Sequence, residues 1–289
     1  SADGKTELNY WKEKDGTFWV KAPSLASGSN TIYMYYNNAS ATSASNGDNV
    51  FEFFDDFGGS SLDTNKWTPD ANFTTTISDS ILRLQSSIPA YLYSKSSFSI
   101  GHAFRTKAKL YSTEHGMTFT GFISGTNNLS IIVARTALPL ARTSTRKDGV
   151  ATQPNDDTVG LEKYTTWESA WYTDHAKYYR DNTEFRDTIT NVPIIDLKVG
   201  AIQNKETTDA DAYFDWMLVR KRTASEPIAS INGAENYPGL ISEANCSANK
   251  TNTLSAVNFQ TPVNINSDES CWYCSHYLSG TEVVPALGG

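Results

Sequence analysis

Short runs of β-branched and aromatic residues recur along nearly the whole chain, each closed by a cluster of Gly, Asn, Asp, Ser or Thr. Residues 31–36, 81–84, 102–111, 117–123, 129–135, 195–202 and 212–221 all fit this description. Such boundaries predict strands, and the three-to-four spacing of an amphipathic helix is scarce. Many short strands at regular spacing fold as a sandwich or jelly roll, so the chain is predicted to be all-β. One stretch, residues 167–185, could pass for a helix. There Lys177-Tyr178-Tyr179-Arg180 runs into Asp181-Asn182, two residues that tolerate positive φ, and residues 185–190 then alternate, so a hairpin is predicted.

Composition narrows the function. Lys and Arg number 24 against 32 Asp and Glu, a net charge of −8, so the chain as a whole repels phosphate, and nucleic acid is not an expected partner. Charged residues are only 19%, and Ser, Thr and Asn supply most of the polarity, while 12% aromatics provide material for a core and exclude disorder as the main state. No apolar run approaches the roughly 18 residues of a membrane helix. The sequence begins at Ser1 without Met or a signal peptide, which suggests a processed product or part of a longer chain.

Five Asn-x-Ser/Thr sequons, at Asn38, Asn72, Asn128, Asn245 and Asn249, together with the lean charge favour an extracellular, cell-surface protein. The three cysteines, Cys246, Cys271 and Cys274, lie near the C-terminus. In an oxidising compartment Cys246 would pair with Cys271 or Cys274 and leave one thiol over; a Cys3His zinc site with His276 is the alternative. Three blocks are expected: residues 1–50 as a partial β domain with a Ser/Ala/Asn-rich connector, 51–223 as the main β domain, and 224–289 as a small β segment that a disulfide or partner would help stabilise.

Chemistry-bearing clusters are few. The four histidines show no metal-binding or catalytic spacing, and neither a phosphate loop nor Gly-x-Ser-x-Gly occurs. Trp167, Trp171 and Tyr172, with Tyr178 and Tyr179, form a candidate sugar-stacking platform; the same alternation also fits aromatics facing a core.

The stretch from Asn30 through Tyr33-Met34-Tyr35-Tyr36 and Asn46-Gly47-Asp48 into Phe51-Glu52-Phe53-Phe54-Asp55-Asp56-Phe57 resembles the end of a surface-domain family, the domain of unknown function numbered 2341. That family occurs in long extracellular proteins of archaea and bacteria. Phe54-Asp55-Asp56-Phe57, Leu62 to Trp67 and Phe214-Asp215-Trp216 to Lys221 resemble the opening and closing strands of a concanavalin A-like lectin/glucanase jelly roll. The resemblance implies a jelly-roll sandwich flanked by a partial N-terminal β domain and a small Ig-like C-terminal segment. It also places Asp56 beside Asp215, where with the carbonyl of Gly58 they would hold a structural Ca²⁺. Strands that the family carries upstream of Ala2 are absent, which implies an exposed edge beside residues 32–36 and a donor strand from the tail, residues 253–284, of a neighbouring copy.

Family-16 glucanases on this fold place Glu-x-Asp-x-Glu or Glu-x-Asp-x-x-Glu on one strand, and neither spacing occurs here. The expected function is therefore a non-catalytic, structural or adhesive surface protein, a subunit of a filament, sheath or layer built from copies of itself. A polysaccharide-binding, lectin-like module is the alternative, and a glycoside hydrolase with an atypical carboxylate pair a weaker one.

Overall fold

The structure, a computed structural model, describes residues 6–35, 40–86, 88–110, 116–124, 130–135, 140–158, 163–205, 211–223, 225–235, 254–261 and 272–274. These residues hold, in chain order, β1 (Tyr10–Lys12), β2 (Phe18–Val20), β3 (Gly28–Tyr35), β4 (Phe53–Asp55), β5 (Trp67–Pro69), β6 (Thr74–Ser78), β7 (Ile81–Gln85), β8 (Ala90–Phe98), β9 (His102–Leu110), β10 (Gly116–Ile123) and β11 (Ser130–Arg135). There follow β12 (Leu140–Lys147), β13 (Val150–Thr152), β14 (Asn155–Thr158), β15 (Thr165–Trp171), β16 (Ala176–Arg180), β17 (Thr183–Thr188), β18 (Leu197–Lys205), β19 (Ala212–Lys221), β20 (Ile228–Glu235), β21 (Leu254–Thr261) and β22 (Trp272–Cys274). No described helix is long and apolar enough to cross a membrane.

The chain divides into two units, residues 52–222 and a terminal unit drawn from residues 1–51 and 223–289. The first is the expected jelly roll. One sheet has the order β13-β12-β11-β10-β18-β8-β5, with β14 also on β12, and the other the order β17-β16-β15-β9-β19-β7-β6, with β4 also on β19. Strand alternation sends every second side chain between the sheets. There Leu82, Phe104, Phe214 and Met217 from one sheet and Leu92, Phe122, Ile131 and Val199 from the other form one core. Full burial of each such side chain stabilises the fold by about 1.5–3 kcal/mol.

Turn chemistry fixes the hairpins. Asp181 and Asn182 adopt φ of 45° and 69° between β16 and β17, and Asp79 and Ser80 adopt 53° and 56° between β6 and β7. Positive φ at both central residues lets a two-residue turn match the right-handed twist of the strands it joins. The hairpin predicted across residues 167–185 is thus present, with Asp181-Asn182 at its tip.

In the terminal unit, β1 and β22 flank β2, and β20 and β3 flank β21. Trp19 is fully buried, its Nε1 donates to Glu13 Oε1 at 2.6 Å, and Phe51 meets the edges of Trp11 and Trp19 at 5.7 and 5.3 Å. The two blocks read from sequence as separate flanking pieces pair with one another: β21 runs antiparallel to β3 from Leu254 opposite Tyr35 to Thr261 opposite Gly28. The tail strand that the resemblance assigns to a neighbouring copy is here supplied by the same chain.

Candidate functional site

The first and last strands of the jelly roll do meet, with β4 antiparallel to β19 and Asp55 opposite Met217. It is Asp55, rather than Asp56, that turns inward. Its Oδ1 accepts the Phe57 N–H at 2.8 Å and its Oδ2 the Trp67 Nε1–H at 2.6 Å. Burial pushes this carboxyl up from the ordinary aspartate range, against the pull of the two hydrogen bonds. Asp56 is exposed and takes the Gly58 N–H on Oδ1 at 3.3 Å. Asp215 is buried at the β-bulge between Phe214 and Trp216, with the Lys107 ammonium 3.9 Å away. No cluster of three or more His, Cys, Asp or Glu suited to a metal occurs among the described residues. Calcium takes six to eight oxygens, of which Asp56 and Asp215 would supply the carboxylates and carbonyls such as that of Gly58, with water, the remainder.

The expected sugar platform is not a surface. Trp167 and Trp171 lie on the inward-facing side of β15 and are 4% and 1% exposed. Trp171 donates its Nε1–H to the Pro193 carbonyl at 3.0 Å and packs on Phe122, and Trp167 lies edge-on to Phe185. Residues 167, 169 and 171 share one face of a strand, and in β15 that face is the core. Tyr178 is also buried, and its hydroxyl spans the sandwich to the Ser144 carbonyl at 3.1 Å. Tyr172, just past the strand, and Tyr179 are partly exposed; Tyr172 stacks on His175 at 4.3 Å and accepts the Arg222 Nε–H at 2.8 Å.

On the opposite face of the same strand sits an ion cluster that sequence reading did not find. Glu168 is 2% exposed and is contacted by Arg222, by Arg220 at 3.2 Å and by Arg105 at 3.4 Å. Arg105 also donates to Asn182 Oδ1 at 2.6 Å, and Arg222 lies 4.4 Å over the Tyr179 ring. Burial alone would raise the Glu168 pKa, but the guanidinium groups of Arg220, Arg222 and Arg105 outweigh it and hold the carboxyl down to about 2. A carboxylate so held is ionised near neutral pH and has no proton to donate, so Glu168 is a strand-locking group and not a general acid.

The outer face of the other sheet has a different character. Directly paired residues point to the same side, and two rows cross it. Tyr91 stands opposite Ile202, which stands opposite Phe119; Tyr93 stands opposite Gly200, which stands opposite Gly121. Ile123 and Ile202 are buried there, with Tyr91, Tyr93 and Phe119 packed against them and half-buried. The Tyr91 and Tyr93 rings stack at 5.6 Å and 11°. Gly200 is required by the backbone: a Cβ there would sit 1.8 Å from the Leu92 carbonyl oxygen, where the β8–β18 ladder shifts register. The glycine pair leaves the row beside Tyr93 without side chains. The Tyr93 hydroxyl is buried and has no hydrogen-bond partner among the described residues, and its pKa is pushed up, chiefly by burial. An aromatic shelf beside a side-chain-free trough can cover the apolar face of a flat ring.

The remaining expected sites are placed as follows. Asn72 is exposed in the turn before β6. Asn38, Asn128, Asn245 and Asn249 lie outside the described residues, as do Cys246 and Cys271. The backbone of Cys274 ends β22, opposite Phe18.

The architecture is that of the concanavalin A-like glucanase jelly rolls. A β-glucanase of Bacillus licheniformis superposes with a TM-score of 0.51 at 14% identity, covering 59% of this chain and 98% of that one. A β-1,3-1,4-glucanase (lichenase) from a mouse hindgut metagenome gives 0.50 at 11% identity, over 58% and 97%. An endo-acting O-glycanase of the human gut microbiota gives 0.50 at 13%, over 60% and 100%. Residues 1–70 match the family described as a domain of unknown function, DUF2341. No curated protein matches this sequence.

Proposed function

We propose that the chain is a non-catalytic, extracellular adhesive protein of the cell surface, in which the jelly roll holds carbohydrate on the Tyr91–Tyr93–Phe119 face without cutting it. The observation that carries this reading is the chemistry of that face. Along β8, β10 and β18 its positions at the centre are Tyr91, Tyr93, Phe119, Gly121, Ile123, Gly200 and Ile202, with no carboxyl group among them. Retaining glycosidases need two carboxyls about 5–5.5 Å apart across the scissile bond. Of the buried carboxylates elsewhere, Glu13 and Asp55 are engaged by Trp19 and Trp67, Glu168 by arginines, and Asp215 faces the Lys107 ammonium. Affinity electrophoresis through gels cast with soluble polysaccharides tests the reading. The protein is expected to be retarded by at least one, and Tyr93→Ala and Phe119→Ala to weaken retardation on the order of tenfold each. Equal mobility of wild type and both variants in every gel contradicts it.

Self-assembly into a filament, sheath or layer is a second reading, favoured by the pairing of β3 with β21. Main-chain ladders between segments so far apart in sequence can be closed by the tail of another copy as well as by the chain's own. Negative-stain microscopy of concentrated protein is expected to show polymers that deletion of residues 253–289 abolishes. Monomers at all concentrations contradict this reading while leaving carbohydrate binding intact.

A further inference from the structure

We infer that Asn72 carries an N-linked glycan, and that this glycan shields the β6 edge of the jelly roll. The inference rests on the extracellular reading above. Asn72-Phe73-Thr74 is the one sequon whose asparagine lies among the described residues, and its geometry is set by its neighbours. The Asp70 side chain accepts the Asn72 N–H at 2.9 Å, and the Asp70 carbonyl accepts the Phe73 N–H at 3.0 Å, which pins the turn. Phe73 packs against the core, so the residue before it is presented to solvent. Asn72 is exposed, no hydrogen bond among the described residues engages its carboxamide, and Thr74 is exposed at the first position of β6. Asparagine, hydroxyl residue and open turn are the parts that an oligosaccharyl transfer requires.

A second observation points the same way. β6 is the last strand of its sheet, so one side of its backbone has no strand partner among the described residues. Edge strands are usually protected from pairing with other chains by charge, proline or a bulge. β6 reads Thr-Thr-Thr-Ile-Ser, pairs in unbroken register with β7 and carries none of these. A bulky, hydrated glycan two residues before it supplies the missing protection. In the transfer, Asn72 Nδ2 bonds to C1 of the first sugar of a polyisoprenoid-phosphate-linked oligosaccharide. The C1–O bond to phosphate breaks, the lipid phosphate leaves with the electron pair, and the amide gives up one proton.

The test is glycopeptide mass spectrometry on full-length protein from its source cells, with the location of the protein scored by protease treatment of intact cells. The tryptic peptide spanning residues 67–83 is expected to carry a sugar mass and to release sugar oxonium ions. Asn72→Gln and Thr74→Ala should lose that mass and Thr74→Ser should keep it, so the threonine pair decides the matter even if the glutamine variant folds poorly. Protein at the cell surface with an unmodified peptide overturns the glycan and leaves the proposed function standing. Protein confined to the cell interior overturns both.

Discussion

Glu168 on β15 and Arg105 on β9 stand directly opposite one another in the ladder, and their side chains meet at 3.4 Å with 2% and 6% exposure. Arg220 joins them from β19 on the far side of β9, so one buried carboxylate ties three adjacent strands together. Removing one partner of a buried ion cluster leaves the others uncompensated. Glu168→Gln is therefore expected to destabilise the jelly roll by about 3–5 kcal/mol, measured by urea unfolding.

The same cluster sets an acid limit. Because the folded Glu168 pKa lies at about 2, below its ordinary value of 4.5, its stabilisation is fully present above pH 4.5 and is lost as pH falls toward 2. Wild type should lose stability through that window, and Glu168→Gln should show a shallower slope across it.

Asp55 behaves in the opposite sense. Its folded pKa is raised, so the fold binds this proton more tightly than the unfolded chain, and ionisation of Asp55 works against stability as pH rises through 3.8 and above. Trp67→Phe removes the Nε1–H donor to Oδ2 while keeping an aromatic ring. It is expected to cost about 1–3 kcal/mol near neutral pH and to raise the Asp55 pKa further, read by carboxyl NMR titration.

The terminal unit depends on both ends of the chain. Deleting residues 253–289 removes β21, the strand between β20 and β3, and should expose the amides of residues 28–35 to rapid hydrogen exchange. The strands β9, β10 and β19 should stay protected.

Period-two patterning made β9, β10 and β19 legible in sequence, and the φ tolerance of Asp181-Asn182 made the β16–β17 turn legible. The same patterning could not say which side of β15 was inward. Trp167-Glu168-Ser169-Ala170-Trp171 is buried on both faces, and nothing local marks Glu168 because its partners lie at positions 105, 220 and 222. The Tyr91–Tyr93–Phe119 face was invisible for a related reason. Tyr91-x-Tyr93 signals only one strand face, and its relation to Phe119 and to the Gly121–Gly200 pair exists only once β8, β18 and β10 are in register. The union of β3 with β21 is likewise a pairing between distant segments that no local signal encodes.

Binding without cleavage is the central claim, and it is tested most directly on the polysaccharide itself. A ligand that retards the protein is incubated with it at saturating concentration and its chain-length distribution is followed by size-exclusion chromatography with reducing-end counting. The account predicts an unchanged distribution and no new reducing ends, with binding lost in the Tyr93→Ala, Phe119→Ala double variant. Shortening of the chains by wild type, abolished by substituting a single carboxylate, would contradict it.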